Sequence, residues 1–183
     1  YVYLRLFREQ YYNSKRIVTL LLLMIVAFCG GTSLLITYAS PALIYIIPFA
    51  ILPIIVSTFF DTRTALYANY ITIFISSIVV PSPFEFVLLQ ATAGMVTIST
   101  LRDLSQRSQL VRTAIVIICS YCLFFLGYGL TSDSSIFEIN WINFVFFAIN
   151  GLLLLFAYPL IYIIEQIFGF ISNVRLIELS DIN

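Results

Sequence analysis

The chain has 183 residues, 61% of them hydrophobic and only 10% charged, with a mean hydropathy of +1.04, which excludes an ordinary soluble domain and identifies an integral membrane protein. Nine basic and nine acidic residues balance to a net charge of +0, so nothing points to a nucleic-acid partner. There is no histidine, which removes the usual general base and metal ligand, and no catalytic, cofactor or metal site is expected in this segment.

The apolar residues come in blocks of about twenty, the length that crosses a hydrocarbon core of about 30 Å as a helix. Short alternating strands are not evident, so the pattern predicts an all-α polytopic membrane bundle and not an outer-membrane barrel. About six spans fit. Residues 1–16 read as the tail of a preceding span, its remnant at residues 1–4, followed by a basic cytoplasmic loop. The first full span covers about residues 17–38, where Ala27 and Gly31, four apart, form a pattern that lets helices approach closely.

After the turn Ala39-Ser40-Pro41 comes a second span at about residues 42–60, containing Pro48 and Pro53. Each proline removes a backbone donor and can bend the helix, and a break at membrane depth requires another group to satisfy the freed carbonyls. The turn Phe60-Asp61-Thr62-Arg63-Thr64 offers Asp61, Thr62 or Thr64 as a cap for a third span at about residues 65–80, which carries Tyr67, Asn69 and Tyr70. Pro81-Ser82-Pro83 precedes a fourth span at about residues 84–101, with Glu85 near its outer end and Gln90 and Thr92 deeper.

A loop at residues 102–112 holds three arginines and leads to the fifth span, about residues 113–130. Cys119-Ser120-Tyr121-Cys122 has redox spacing, but inside a membrane helix its cysteines, like Cys29, read as small packing residues. A polar, acidic stretch at residues 131–140 leads to Trp141 at the expected interfacial belt. The last span covers residues 142–164. Beyond it Ile164, Ile167, Phe168, Ile171 and Arg175 keep helical spacing, so the helix is expected to run on past the bilayer, with residues 17–172 as the membrane domain and 173–183 as the start of a linker.

If the six spans alternate, Arg5, Arg8, Lys15, Arg16, Arg63, Arg102, Arg107, Arg112 and Arg175 all fall on one side. Basic residues stay inside during insertion, so both ends of the segment are expected to be cytoplasmic. Asp61, Arg63, Arg107, Arg112 and Glu165 then lie at the inner boundary and are candidate signal-coupling residues, with an ion pair expected between Glu165 and Arg107 or Arg112. Such a pair would register the last helix against the arginine loop while contributing little stability. Glu85, Asn69, Gln90 and Asn150 are candidate intramembrane polar contacts. Glu85 lies close enough to the outer interface to reach water, and the amides have interhelical hydrogen bonds as their simplest role.

Several stretches carry a resemblance. The junction Glu165-Gln166-Ile167-Phe168-Gly169, followed by Leu176-Ile177-Glu178-Leu179-Ser180-Asp181-Ile182-Asn183, is joined in order by Ile47-Pro48, Leu52-Pro53, Phe60-Asp61-Thr62-Arg63-Thr64-Ala65 and Arg107-Ser108-Gln109-Leu110-Val111-Arg112. Together they resemble bacterial seven-transmembrane receptors with an intracellular HD phosphohydrolase domain. The resemblance implies an anchor helix and an extracellular sensory domain, then seven helices of which this chain holds the last six, then a metal-dependent phosphodiesterase whose best-known members hydrolyse cyclic di-AMP. It places the divalent metal pair and its His and Asp ligands outside this chain. It also implies a bacterial cytoplasmic (inner) membrane, with the bilayer and the two flanking domains as partners and oligomerisation left open. On that view the closing helix, moving against the arginine loop, passes a signal inward.

The alternative is a small-molecule transporter membrane subunit of about six helices, with Asn69, Glu85, Gln90 and Asn150 lining a central cavity. A structural scaffold of the envelope also fits the hydropathy. Inverted repeats typical of secondary transporters are not visible in the sequence.

Overall fold

The computed structural model describes residues 2–100, 107–131 and 141–170. Two short helices, α1 (Val2–Phe7) and α2 (Glu9–Tyr12), lead into α3 (Lys15–Tyr38). A 3-10 segment (Pro41–Ile46) and α4 (Ile51–Phe59) follow, then α5 (Thr62–Ser77), α6 (Pro83–Thr100) and α7 (Arg107–Thr131). The order closes with α8 (Ile142–Leu153), a single 3-10 turn (Leu154–Phe156) and α9 (Ala157–Phe168). Among the described residues there is no strand, and the chain is an all-α, multi-pass membrane bundle.

Among the described residues, four stretches are long and apolar enough to cross a bilayer: Lys15–Tyr38, Pro41–Phe59, Gln109–Leu130 and Ile142–Phe168. The other two expected spans, α5 and α6, have 16 and 18 residues. At about 1.5 Å per residue they reach about 24 and 27 Å, just under the hydrocarbon thickness. They are also more polar, and their Asn69, Thr72, Ser76, Gln90 and Thr97 are turned inward and buried. The segment Pro41–Phe59 is the centre of the bundle, 61% buried against 22% for α3. Its α4 packs on α5, α6 and α9, while α8 lies against the 3-10 segment.

The second span is not the single bent helix expected from residues 42–60. Pro48 pushes the residue before it out of the helical region, and Ile47 sits at φ −66°, ψ 117°, so the chain is broken between Ile46 and Ile51. Pro53, by contrast, is the third residue of α4, where a missing amide proton costs no intrahelical bond. The closing span shows the same physics. Pro159 cannot donate to Leu155, and the turn ahead of α9 tightens to 3-10 geometry.

The helical run expected through residues 164–175 is corrected by Gly169. This residue adopts the left-handed conformation, φ 67°, ψ 28°, and donates its amide to the Glu165 carbonyl at 3.0 Å, closing α9 at Phe168. Apolar spacing carries on across the glycine, but the backbone turns there. Residues 171–183 lie outside the described residues.

Among the described residues, helices meet closely at Gly94 and Gly151. A Cβ on Gly94 of α6 would sit 2.1 Å from Asn69 Nδ2 on α5, and one on Gly151 of α8 would sit 2.4 Å from the Ile118 side chain on α7. The close approach expected at Ala27 and Gly31 is not made within the described residues: nothing lies within 4 Å of a Cβ built on Gly30 or Gly31. Gly94→Ala is therefore expected to displace the buried Asn69 amide and destabilise the bundle by about 1–3 kcal/mol, as overpacking does. Gly30→Ala should be neutral or slightly stabilising. Thermal unfolding of both variants in detergent checks the contrast.

Candidate functional site

At the cation-rich end of the bundle, Asp61 is the hub. It caps α5, accepting the Thr64 amide on Oδ2 at 3.2 Å and the Thr64 hydroxyl on Oδ1 at 2.7 Å. Arg8, in the link between α1 and α2, donates to the same two oxygens, Nε to Oδ1 at 3.2 Å and Nη2 to Oδ2 at 2.9 Å, a bidentate pair. Burial alone would raise the Asp61 pKa, but the hydrogen bonds from Arg8 and Thr64 outweigh it and hold the carboxyl below its usual 3.8. Asp61 in turn holds the Arg8 guanidinium above its ordinary value.

Around this pair the ends of three segments meet. Tyr11 packs on Phe60 with ring centres 5.3 Å apart, and Phe59 and Phe60 hold Phe170 at 5.8 and 5.9 Å. Phe168 stacks on Phe170 at 5.8 Å, and an Arg16 Nη1 lies 3.5 Å from the Phe168 carbonyl. The exit of α9 is thus seated on the α4–α5 turn and on the entry to α3.

A second polar cluster lies at the opposite end. The Tyr45 hydroxyl donates to Glu85 Oε1 at 2.5 Å, joining the 3-10 segment to the first turn of α6. Asn150 of α8 donates from Nδ2 to the carbonyls of Tyr45, at 2.8 Å, and Ile47, at 2.9 Å. These acceptors precede the Pro48 break; the Ile47 carbonyl also accepts the Phe49 amide at 2.9 Å, and for Tyr45 the Asn150 amide supplies the partner that the broken helix cannot. Tyr121 of α7 is buried, stacks on Phe147 at 5.2 Å and donates to Gln90 Oε1 at 2.6 Å.

The expected site residues therefore separate. Asp61 caps α5, the role its turn suggested, and also pairs with Arg8, while Arg63 is exposed. Arg112 is exposed on α7, and Glu165 is buried on α9. Arg107 opens α7, but its side chain and residues 101–106 lie outside the described residues, and so does the expected ion pair of Arg107 with Glu165. Glu85, Gln90 and Asn150 bridge helices. Asn69 is fully buried with neither amide atom paired among the described residues. Arg8 and Tyr45 were not anticipated, since each acts on a partner distant in sequence. Among the described residues no group of three or more His, Cys, Asp or Glu is placed to hold a metal ion.

Residues 1–172 match the family described as 7TM receptor with intracellular HD hydrolase. The chain belongs to this family. It is the transmembrane region of a multi-pass membrane receptor, and the described helices and both polar clusters fall within the matched length. No curated protein and no solved structure matches it.

Two outcomes check the receptor's clusters. Asn150→Leu takes the amide donor from the Tyr45 carbonyl, while the Ile47 carbonyl keeps the Phe49 amide at 2.9 Å, and should destabilise the bundle by about 1–3 kcal/mol, read as a lower unfolding temperature in detergent. Asp61→Ala should cost about 1 kcal/mol through the lost cap. Because the Asp61 pKa is lowered on folding, its contribution is complete above the unfolded value of 3.8 and is lost only as pH falls through the lower folded value. The Asp61→Ala penalty should accordingly stay constant between about pH 5 and 8 and shrink only in stronger acid.

Proposed function

We propose that this receptor region transmits a signal across a bacterial cytoplasmic membrane to a C-terminal cytoplasmic HD phosphodiesterase that hydrolyses cyclic di-AMP. In this reading all six apolar segments cross the bilayer and both ends are cytoplasmic. The gathering of Arg8, Arg16 and Arg63 at the end where α3 and α5 begin and α9 stops supports that orientation. An extracellular sensory domain delivers the stimulus to the end that carries Glu85 and Tyr45.

The observation that carries the proposal is the double attachment of the closing helix. α8 and α9 run beside the central segment in the same direction, joined to it at one end by Asn150 on the Tyr45 and Ile47 carbonyls and at the other by Phe168 and Phe170 on Phe59 and Phe60. The junction near the Pro48 break has two arrangements open to it, bonded to Asn150 or released. Packed helices respond to such a choice as bodies rather than by smooth deformation. Glu85 biases the choice because it holds the Tyr45 ring whose own carbonyl Asn150 holds. A ligand or domain that prefers one arrangement shifts the population, and the exit at Gly169 reports it to the enzyme.

The test uses the full-length receptor in membranes, with hydrolysis of cyclic di-AMP and other cyclic dinucleotides as the readout. Tyr45→Phe and Asn150→Leu should change basal hydrolysis about 2- to 30-fold, the span of about 0.5–2 kcal/mol of coupling, without changing nucleotide preference. Wild-type rates in both folded variants would refute the relay. Preference for another dinucleotide would refute the substrate assignment alone.

A further inference from the structure

We propose that the chamber between α1 and the start of α5 docks the acidic segment that follows the closing helix, with Glu178 or Asp181 of this chain against Arg63. The chamber has a volume of about 180 Å³ and is lined by Tyr3, Phe7, Arg8, Arg63 and Tyr67. Tyr3 stacks on Tyr67 with ring centres 4.0 Å apart and on Phe7 at 5.6 Å, so aromatic rings wall a space shared by two guanidinium groups. The two are not equivalent. Arg8 donates to both oxygens of Asp61, which offsets its charge, whereas Arg63 is exposed and, among the described residues, has no hydrogen-bonding or ion-pairing partner. Arg5 and Lys15 are exposed as well, but neither lines the chamber. A net cation between apolar walls is complemented by a carboxylate flanked by apolar side chains.

The chain itself supplies such a group within reach. Glu178 and Asp181 lie outside the described residues, and the sequence sets them among Leu176, Ile177, Leu179 and Ile182. Phe170, where the described chain ends, is seated on Phe59 and Phe60 with ring centres 5.8 and 5.9 Å apart, and Phe60 is three residues from Arg63. Three residues cover at most about 11 Å, and the step from Phe170 to Glu178 at most about 29 Å, so the acidic pair reaches Arg63 with slack to spare. A tether this short holds the segment at an effective concentration on the order of millimolar, an advantage that no free acidic peptide shares. A lipid headgroup would use the cation and gain nothing from Phe7 or Tyr3. Because Tyr3, Phe7 and Arg8 belong to the chain entering the bundle and Glu178 and Asp181 to the chain leaving it, the contact ties entry to exit, and a shift of α1 against α5 holds or releases the departing segment.

The contact does not depend on what the cytoplasmic domain hydrolyses, so proximity is measured directly. The full-length receptor, its native cysteines replaced, carries Phe7→Cys at the exposed rim of the chamber and Leu179→Cys between the two acids, and is treated in phosphatidylglycerol or phosphatidylcholine vesicles with a short bismaleimide. Thermal unfolding reports that each variant is folded. A crosslink is expected. Arg63→Gln, or Glu178→Gln together with Asp181→Asn, should lower its yield about two- to five-fold, the span of an exposed ion pair, while Arg63→Lys keeps much of it. Arg63→Glu should lower the yield further, and Glu178→Arg in the same chain should restore it. No crosslink in a folded receptor, or a yield that none of these changes alters, would overturn the site. A yield that responds to Glu178 and Asp181 but not to Arg63 would place the dock elsewhere and overturn it. An Arg63 effect seen in phosphatidylglycerol and lost in phosphatidylcholine would assign the cation to a lipid headgroup and overturn it as well.

Discussion

A backbone carbonyl inside a bilayer has no water to turn to, and this constraint organises the receptor. Pro48 breaks the most deeply buried of the apolar spans and leaves the Tyr45 carbonyl without a helical donor, while the Ile47 carbonyl accepts the Phe49 amide at 2.9 Å. Asn150, fully buried on the closing helix, donates to both. An unpaired Tyr45 carbonyl would cost about 1–3 kcal/mol, and the Asn150 amide removes that cost from a single side chain. The interruption is therefore stable only while α8 is in register, and the closing helix is tied to the weak point of the central one.

The opposite end is held by different chemistry. Arg8 and Asp61 are partly exposed, with side-chain exposures of 36% and 26%, so solvent screens their attraction. What the pair adds is geometry: two oxygens, two guanidinium donors and a helix cap fix where the entering chain meets the α4–α5 turn. The aromatic cluster of Tyr11, Phe59, Phe60, Phe168 and Phe170 then seats the end of α9 on that platform. A polar clamp at one end and an aromatic seat at the other leave the helix between them to carry displacement.

Helix positions were legible because apolar blocks and their breakers are local signals. Asp61 as a cap follows from residues within one turn of one another and the fold class from apolar blocks of about twenty, whereas Pro48 and Pro53 read alike as bends and only the structure separates the break at Pro48 from the accommodated Pro53. The cross-links were not legible. Arg8 and Asp61 are 53 residues apart, and Tyr45 and Glu85 are 40 apart, separations at which no spacing rule applies. The expected continuation of the last helix failed for a related reason: apolar periodicity passes through Gly169 unchanged, while the left-handed backbone that glycine permits ends the helix. The Ala27 and Gly31 pattern likewise signals only that close approach is allowed, and no described helix takes it up.

The account rests on Asn150 holding the register of α8 and α9 against the central segment along their whole length. Spin labels at Thr62 and Gln166, both exposed near the aromatic seat, report that register by pulsed dipolar spectroscopy in the full-length receptor in lipid. Replacing Asn150 with Leu is expected to shift or broaden the distance distribution between them, although the substitution lies at the far end of the helix. A distribution identical to that of wild type in a folded variant would contradict the account.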